Sequence, residues 1–210
     1  MSELLRFKKK QKYCSFDCET ESLNLFYARP WELAFITYEG NKVLERHQHF
    51  IWFDDLNVSP DAARITGFDK SKIKREGITP QKAIDIFDKY LYNSEYKIIG
   101  TNILGFDVYI YNTLRRLCGK KNDYSYISRC YDTVSLMRAY IGNIKPPEEQ
   151  KEMILWQYKL LHKIIRGAGL QASCRALDVP YDKDRHHEGL YDVGLSKQVF
   201  DKLMWNLEIC

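Results

Sequence analysis

Hydrophobic and polar positions alternate through residues 13–19, as in a half-buried strand, so Asp17 and Glu19 share one face while Cys14, Phe16 and Cys18 share the other. Two further strands follow at 31–38 and 42–52, rich in aromatic and β-branched residues. They join at Glu39-Gly40-Asn41 as an antiparallel hairpin. Ser59-Pro60 opens a short helix that Gly67 closes, and Thr79-Pro80 caps a helix over 81–91 whose buried stripe is Ala83, Ile84, Phe87 and Leu91.

The pattern then changes. A short apolar strand at 96–100 runs through Asn102 and Asp107 into a helix ending near Cys118; residues 127–131 read as a strand, and Asp132-Thr133 caps a helix carrying Val134, Leu136 and Met137. After Pro146-Pro147, residues 148–166 read as one long helix, better taken as an ordinary core helix than as a partner surface. Gly167 and Gly169 end it, a short helix covers 170–177, and the last helix carries Asp192 and runs past Met204. A hairpin that continues into strand-helix repeats implies an α/β fold, a mixed sheet with helices on its faces.

Composition narrows the class. The 210 residues suit one domain over 1–210, with a helical insertion at about 143–166; 45% are apolar and 14% aromatic, which excludes disorder. A net charge of +4 permits an acidic ligand without demanding one. The six cysteines, Cys210 among them, show no paired spacing, so zinc and a disulfide framework are poor readings and a reducing compartment is expected. No apolar run approaches a membrane span and no leader pattern follows Met1, so the expectation is a soluble, cytoplasmic protein, in the host cytoplasm if virus-encoded. The basic run from Arg6 to Lys12 reads as a solvated tail rather than a binding patch.

The chemistry lies in the acids. Asp17 and Glu19 stand about 7 Å apart along a strand, where two anions repel and resist burial unless a cation lies between them; hard divalent ions fit oxygen ligands best. Asp107 begins a helix and Asp192 lies early in the last one. His187 is five residues before Asp192, about 140° round a helix, so both face one site only if the histidine sits on the preceding loop, with Gly189 as the turn. A histidine there suits a general base near neutrality.

These residues together resemble the DEDDh 3′–5′ exonuclease superfamily. Phe16-Asp17-Cys18-Glu19-Thr20 is similar to its first motif, residues 102–107 to its second, and His187 through Asp192 to its third, with the four-residue gap of the histidine subclass. Softer landmarks are Ile65-Thr66-Gly67-Phe68, Tyr131-Asp132-Thr133 and residues 170–179. Three residues separate Asn102 from Phe106, as in its single-strand-specific DNA exonucleases, where many relatives have two. Glu21-Ser22 replaces a common Thr-Gly, and a second histidine, His186, adjoins His187.

The resemblance implies a ribonuclease-H-like mixed five-stranded sheet flanked by helices. It also implies two Mg2+ or Mn2+ ions held by Asp17, Glu19, Asp107 and Asp192, with His187 as the base. Thr20, Leu23, Asn102 and Phe106 become substrate-binding candidates, Leu23 as an apolar wedge near the terminal base. Lys70, Lys72, Lys74, Arg75, Arg115, Arg116, Lys120 and Lys121 are candidate phosphate contacts. The implied activity is release of nucleoside 5′-monophosphates from 3′ ends of single-stranded DNA. The alternatives are an exoribonuclease on short or single-stranded RNA, and a nucleic-acid-binding module or accessory to a polymerase or other replication or repair protein.

Overall fold

The three strands expected first form the antiparallel half of one sheet. In the computed structural model, which describes residues 3–209, β1 (Lys12–Thr20) pairs with β2 (Pro30–Glu39), and β2 with β3 (Lys42–Phe50). The Gly40-Asn41 turn is tight because Gly40 adopts φ 57°. On the other side of β1, β4 (Tyr96–Gly100) and β5 (Cys130–Asp132) add in parallel, giving the order β3-β2-β1-β4-β5. Met1, Ser2 and Cys210 lie outside the described residues.

Parallel neighbours need crossovers, and helices supply them. Between β3 and β4 come α1 (Pro60–Thr66), α2 (Lys70–Glu76) and α3 (Pro80–Leu91); α4 (Asp107–Leu117) links β4 to β5. Then follow α5 (Thr133–Ile141), α6 (Gln150–Leu161), α7 (Leu170–Ala176) and α8 (Gly189–Leu207). Ser59, Asp69, Thr79 and Asp132 cap α1, α2, α3 and α5 through their side-chain oxygens.

Alternation along β1 divides two cores. Cys14, Phe16 and Cys18 pack with Phe35, Phe87, Ile98 and Leu114 under α3 and α4. Tyr13 on the opposite face packs with Ile36, Ile99, Val193 and Phe200 beneath α5 and α8. The mixed five-stranded sheet with helices on both faces is thus the architecture the sequence implies.

Some local expectations change, and one helix was not anticipated. Residues 127–129 form a 3-10 turn and only 130–132 pair as strand. The helix expected over 148–166 is confined to Gln150–Leu161, after which the chain runs irregularly to Gly169. Helix α2 escapes periodicity because Ile73 is its one buried residue. The basic run is not a free tail either: Leu5 is buried and its N–H donates to the Ile209 carbonyl at 2.8 Å.

Candidate active site

The site is built at the carboxyl end of β1. A register shift between Glu19 and Thr20 in the pairing with β2 marks the point where β1 leaves the sheet. Asp17 and Glu19 are half-buried there. Asp107, at the first position of α4, arrives from the opposite layer; the residue is 3% exposed and its carboxylate accepts the Cys18 N–H at 3.0 Å. The loop that delivers it turns at Asn102, which takes φ 58° and accepts the Gly105 N–H on its backbone carbonyl at 3.0 Å.

Asp192 enters from the first turn of α8 and is 7% exposed. The helix is fastened beside it: Ser15 Oγ donates to the Val193 carbonyl at 3.0 Å and Ser196 Oγ to the Asp192 carbonyl at 2.9 Å. Ser196 Oγ is also 2.8 Å from Thr101 Oγ1, beside the second motif. His187 precedes the helix, on the loop where geometry requires it, and its backbone N–H donates to Asp192 Oδ2 at 3.0 Å. Its ring Nδ1 lies 3.6 Å from Glu19 Oε1. His186 stacks on that ring with centroids 3.9 Å apart and sets its own Nδ1 3.1 Å from Asp192.

Gly189 does not make the turn expected of it. His187 itself takes the left-handed conformation, φ 70°, and Gly189 serves close packing of α8 on β2 instead. Of the substrate-binding candidates, Leu23 is 86% exposed and Asn102 is exposed, whereas Phe106 is half-buried against the α3–α4 core. Thr20 is buried and its hydroxyl donates to the Ser22 carbonyl at 2.6 Å. Among the candidate phosphate contacts, Arg115 and Lys120 pair with Asp88, and Lys72 and Lys74 lie over the Phe50 and Trp52 rings.

The electrostatics follow from crowding. Burial, then the charges of Asp107, Glu19 and Asp192, push the Asp17 carboxyl well above its ordinary range; Asp107 is raised mainly by burial. The Glu19 carboxylate beside His187 raises that imidazole. Two further buried acids are not among the site residues read from the sequence, although Asp132 stands there as a cap and a landmark. Burial raises Asp132 to about 6; its side chain accepts the Leu104 N–H of the second-motif loop at 3.0 Å. Burial raises Glu32 to about 7; it sits opposite Glu19 in the β1–β2 register and takes a hydrogen bond from Gln48. An acid inside the apolar run of β2 was the available signal for Glu32.

Among the described residues, the trio with possible ligand atoms all within 4.8 Å of one another is His186, His187 and Asp192; the carboxylates of Asp17, Glu19 and Asp107 do not all come within that distance together. The chemistry of the donors still fits hard divalent ions. Four carboxylates with two of them driven toward protonation form a site short of positive charge. An open cleft of about 710 Å³ adjoins, with His186, His187, Glu32, Arg64, Ile65 and Lys72 in its lining.

Comparison with known proteins gives a family and a fold. An exonuclease family model, RNase_T, matches residues 14–200. E. coli exonuclease I, solved in complex with a dA16 oligonucleotide, superposes with a TM-score of 0.73 at 17% identity, covering 93% of this chain and 41% of that one. Exonuclease I of Methylocaldum szegediense gives 0.66 at 18% identity, covering 91% and 40%. The chain therefore spans about two fifths of the length of these solved exonucleases. No curated protein sequence matches it. Among the described residues, no helix is long and apolar enough to cross a membrane. With a family match over most of the chain and the ribonuclease-H-like fold beneath it, the chain belongs to the DEDDh-type 3′–5′ exonuclease family.

Proposed function

We propose that this protein is a two-metal 3′–5′ exonuclease that releases nucleoside 5′-monophosphates from single-stranded DNA. The observation that carries the proposal is the meeting of Asp17 and Glu19 from β1, Asp107 from α4 and His187 and Asp192 from the start of α8 at one end of the sheet. Exonucleases of this family depend on divalent metal. Asp17, Glu19, Asp107 and Asp192 are the residues that would hold two Mg2+ or Mn2+ ions. When bound, such ions neutralise the carboxylates and stabilise the charge developing on the phosphate.

The chain's own residues account for the proton and the orientation. With Nδ1 toward Glu19, His187 keeps Nε2 to accept the proton of the attacking water as the bond to the leaving 3′ oxygen breaks. Glu19 orients the imidazole and stabilises the imidazolium that forms. The backbone bond from His187 to Asp192 ties the loop to the helix, so base and carboxylate move as one unit. Single-stranded DNA is favoured over RNA by the fold shared with exonuclease I, which has been solved bound to dT13 and dA16 oligonucleotides. The whole chain acts as one exonuclease domain, and α6 belongs to it through contacts with α5 and β5.

The test is digestion of 5′-labelled DNA and RNA single strands with and without Mg2+ or Mn2+, by the wild type and Asp17→Ala. A metal-dependent ladder shortening from the 3′ end of DNA, absent in the variant, is expected. A ladder on RNA alone reassigns the substrate, and no products with either ion removes the exonuclease reading.

A further inference from the structure

The lysines of the N-terminal run occupy a structured turn at the end of the sheet remote from Asp17. Leu5 is buried, the Gln11 N–H donates to the Lys8 carbonyl at 2.9 Å, and the Gly40 N–H at the hairpin tip donates to the Gln11 carbonyl at 2.9 Å. Phe7, Lys8, Lys9 and Lys10 thereby line a shallow cleft of about 500 Å³. Glu95, the acid in that lining, pairs with Lys12 at 2.7 Å. Lys8, Lys9 and Lys10 have no ion-pair partner among the described residues.

Two further observations point to a polyanion. Burial, then the neighbouring charges of Lys8 and Arg129, disfavour the Lys97 cation, while the acids Glu95 and Glu208 at this end are taken up by Lys12 and Arg6. Beside it, Phe7 and Trp205 are each 56% exposed, with the Arg6 guanidinium 5.1 Å from both rings. Fixed cations beside exposed rings are the combination that grips a single strand, phosphates on the lysines and a base on the aromatic face.

We propose that Phe7 with Lys8, Lys9 and Lys10 forms a second nucleic-acid contact, which holds the 5′-ward part of the strand whose 3′ end lies at Asp17. The proposal takes its ligand from the exonuclease reading above. Asp192 in the first turn of α8 and Trp205 in its last are separated by about 20 Å of helix, so a short oligonucleotide reaches one contact and a longer one reaches both. Binding at both sites raises the effective concentration of the 3′ end at the first.

The experiment measures fluorescence anisotropy of labelled DNA single strands of about 3 nucleotides, too short to span both contacts at roughly 3.4 Å per nucleotide, and of about 20 nucleotides, in EDTA, where nothing is cleaved. It compares the wild type with a Lys8→Ala, Lys9→Ala, Lys10→Ala triple variant and with the same positions as arginine. The alanine variant should bind the longer strand about tenfold or more weakly, lower the log-log salt slope by about 2, and leave the shorter strand unaffected. Arginine should restore binding, and Phe7→Ala should weaken the longer strand without changing the slope. Equal loss on both lengths, no loss on either, or tighter binding of an acidic peptide than of the strand would overturn the proposal. Because no turnover is read, a chain that binds by length but does not cleave refutes the exonuclease reading and leaves this one standing.

Discussion

Glu32 occupies the space that Gly189 leaves by having no side chain. A Cβ at residue 189 would collide with Oε1 of Glu32 and come within 2.8 Å of the Ala34 Cβ, so the first turn of α8 rests directly on β2. That contact sets the height of the loop carrying His187 and of Asp192 three residues on. Gly189→Ala should therefore cost about 1–3 kcal/mol through overpacking, lower the melting temperature and reduce kcat more than it changes KM. Adding Glu32→Ala should recover only part of the loss, because Ala34 still blocks the position. A single variant that melts like the wild type would show that the contact is not tight.

Asp17 is raised by burial and by four like charges, which makes it a liability to the metal-free fold as well as a candidate ligand. Asp17→Asn should reduce turnover about a thousandfold or more. In EDTA at pH 8 the same variant should melt higher than the wild type, since one of the mutually repelling carboxylates is gone. Added Mg2+ should raise the melting temperature of the wild type and have little effect on the variant. A nuclease assay checks the first outcome, and calorimetry with and without the ion checks the other two.

Much of this was legible in the sequence because strands and motifs leave local patterns. The alternation through Asp17 and Glu19 gave the face of β1, and the stripe Ala83, Ile84, Phe87 and Leu91 is the buried face of α3. What was not legible depends on partners far along the chain. Ile73 alone anchors α2 against Trp31 and Leu56, a contact no periodicity records. Which residue turns the chain before α8 was misread because glycine is the usual choice for positive φ, and here His187 adopts it while Gly189 is needed for packing. Asp132 is legible as a cap and Glu32 as an acid in an apolar run, but that both are buried depends on the assembled fold.

The pH dependence of the metal-free protein has a definite sign. Glu32 at about 7 and Asp132 at about 6 are raised above the ordinary carboxylate value of about 4, so their protonated forms favour the fold. Their contribution is fully present below pH about 4 and lost as pH rises through 6 and 7. Asp17, Asp107 and His187 are raised as well and act in the same direction; His49, lowered by burial, opposes them. The melting temperature in EDTA should fall between pH 5 and pH 8, and the Mg2+-induced rise should be larger at pH 8. A metal-free stability that climbs across this interval would contradict the sign.

The two histidines should separate in kinetics. His187 has its ring beside Glu19 and its backbone on Asp192, while His186 contacts Asp192 and lies edge-on to Tyr181 at 5.9 Å. His187→Ala should lower kcat about a hundredfold or more and remove the limb of the pH–rate profile near neutrality. His186→Ala should keep that limb and lose less rate, since it removes a neighbour of Asp192 and not the proposed base. The reverse order would reassign the base to His186.

Gln157 decides whether α6 is part of the fold or an appended surface. Its side chain is fully buried at the open edge of β5, where Oε1 accepts the Asp132 N–H at 2.7 Å and Nε2 donates to the Cys130 carbonyl at 2.9 Å. One amide thus supplies the donor and the acceptor that a further strand would offer, and closes an edge otherwise open to pairing. The helix backbone adds a bond, as Ser135 Oγ donates to the Gln157 carbonyl at 3.0 Å. Gln157→Ala strands two buried backbone groups and should cost about 2–5 kcal/mol. The effect should reach the site, because Asp132 also holds the Leu104 N–H in the loop that delivers Asp107. Hydrogen exchange should show faster opening of β5 and of that loop together in the variant. Faster exchange in α6 alone, with β5 and the second-motif loop unchanged, would instead make the helix an appendage.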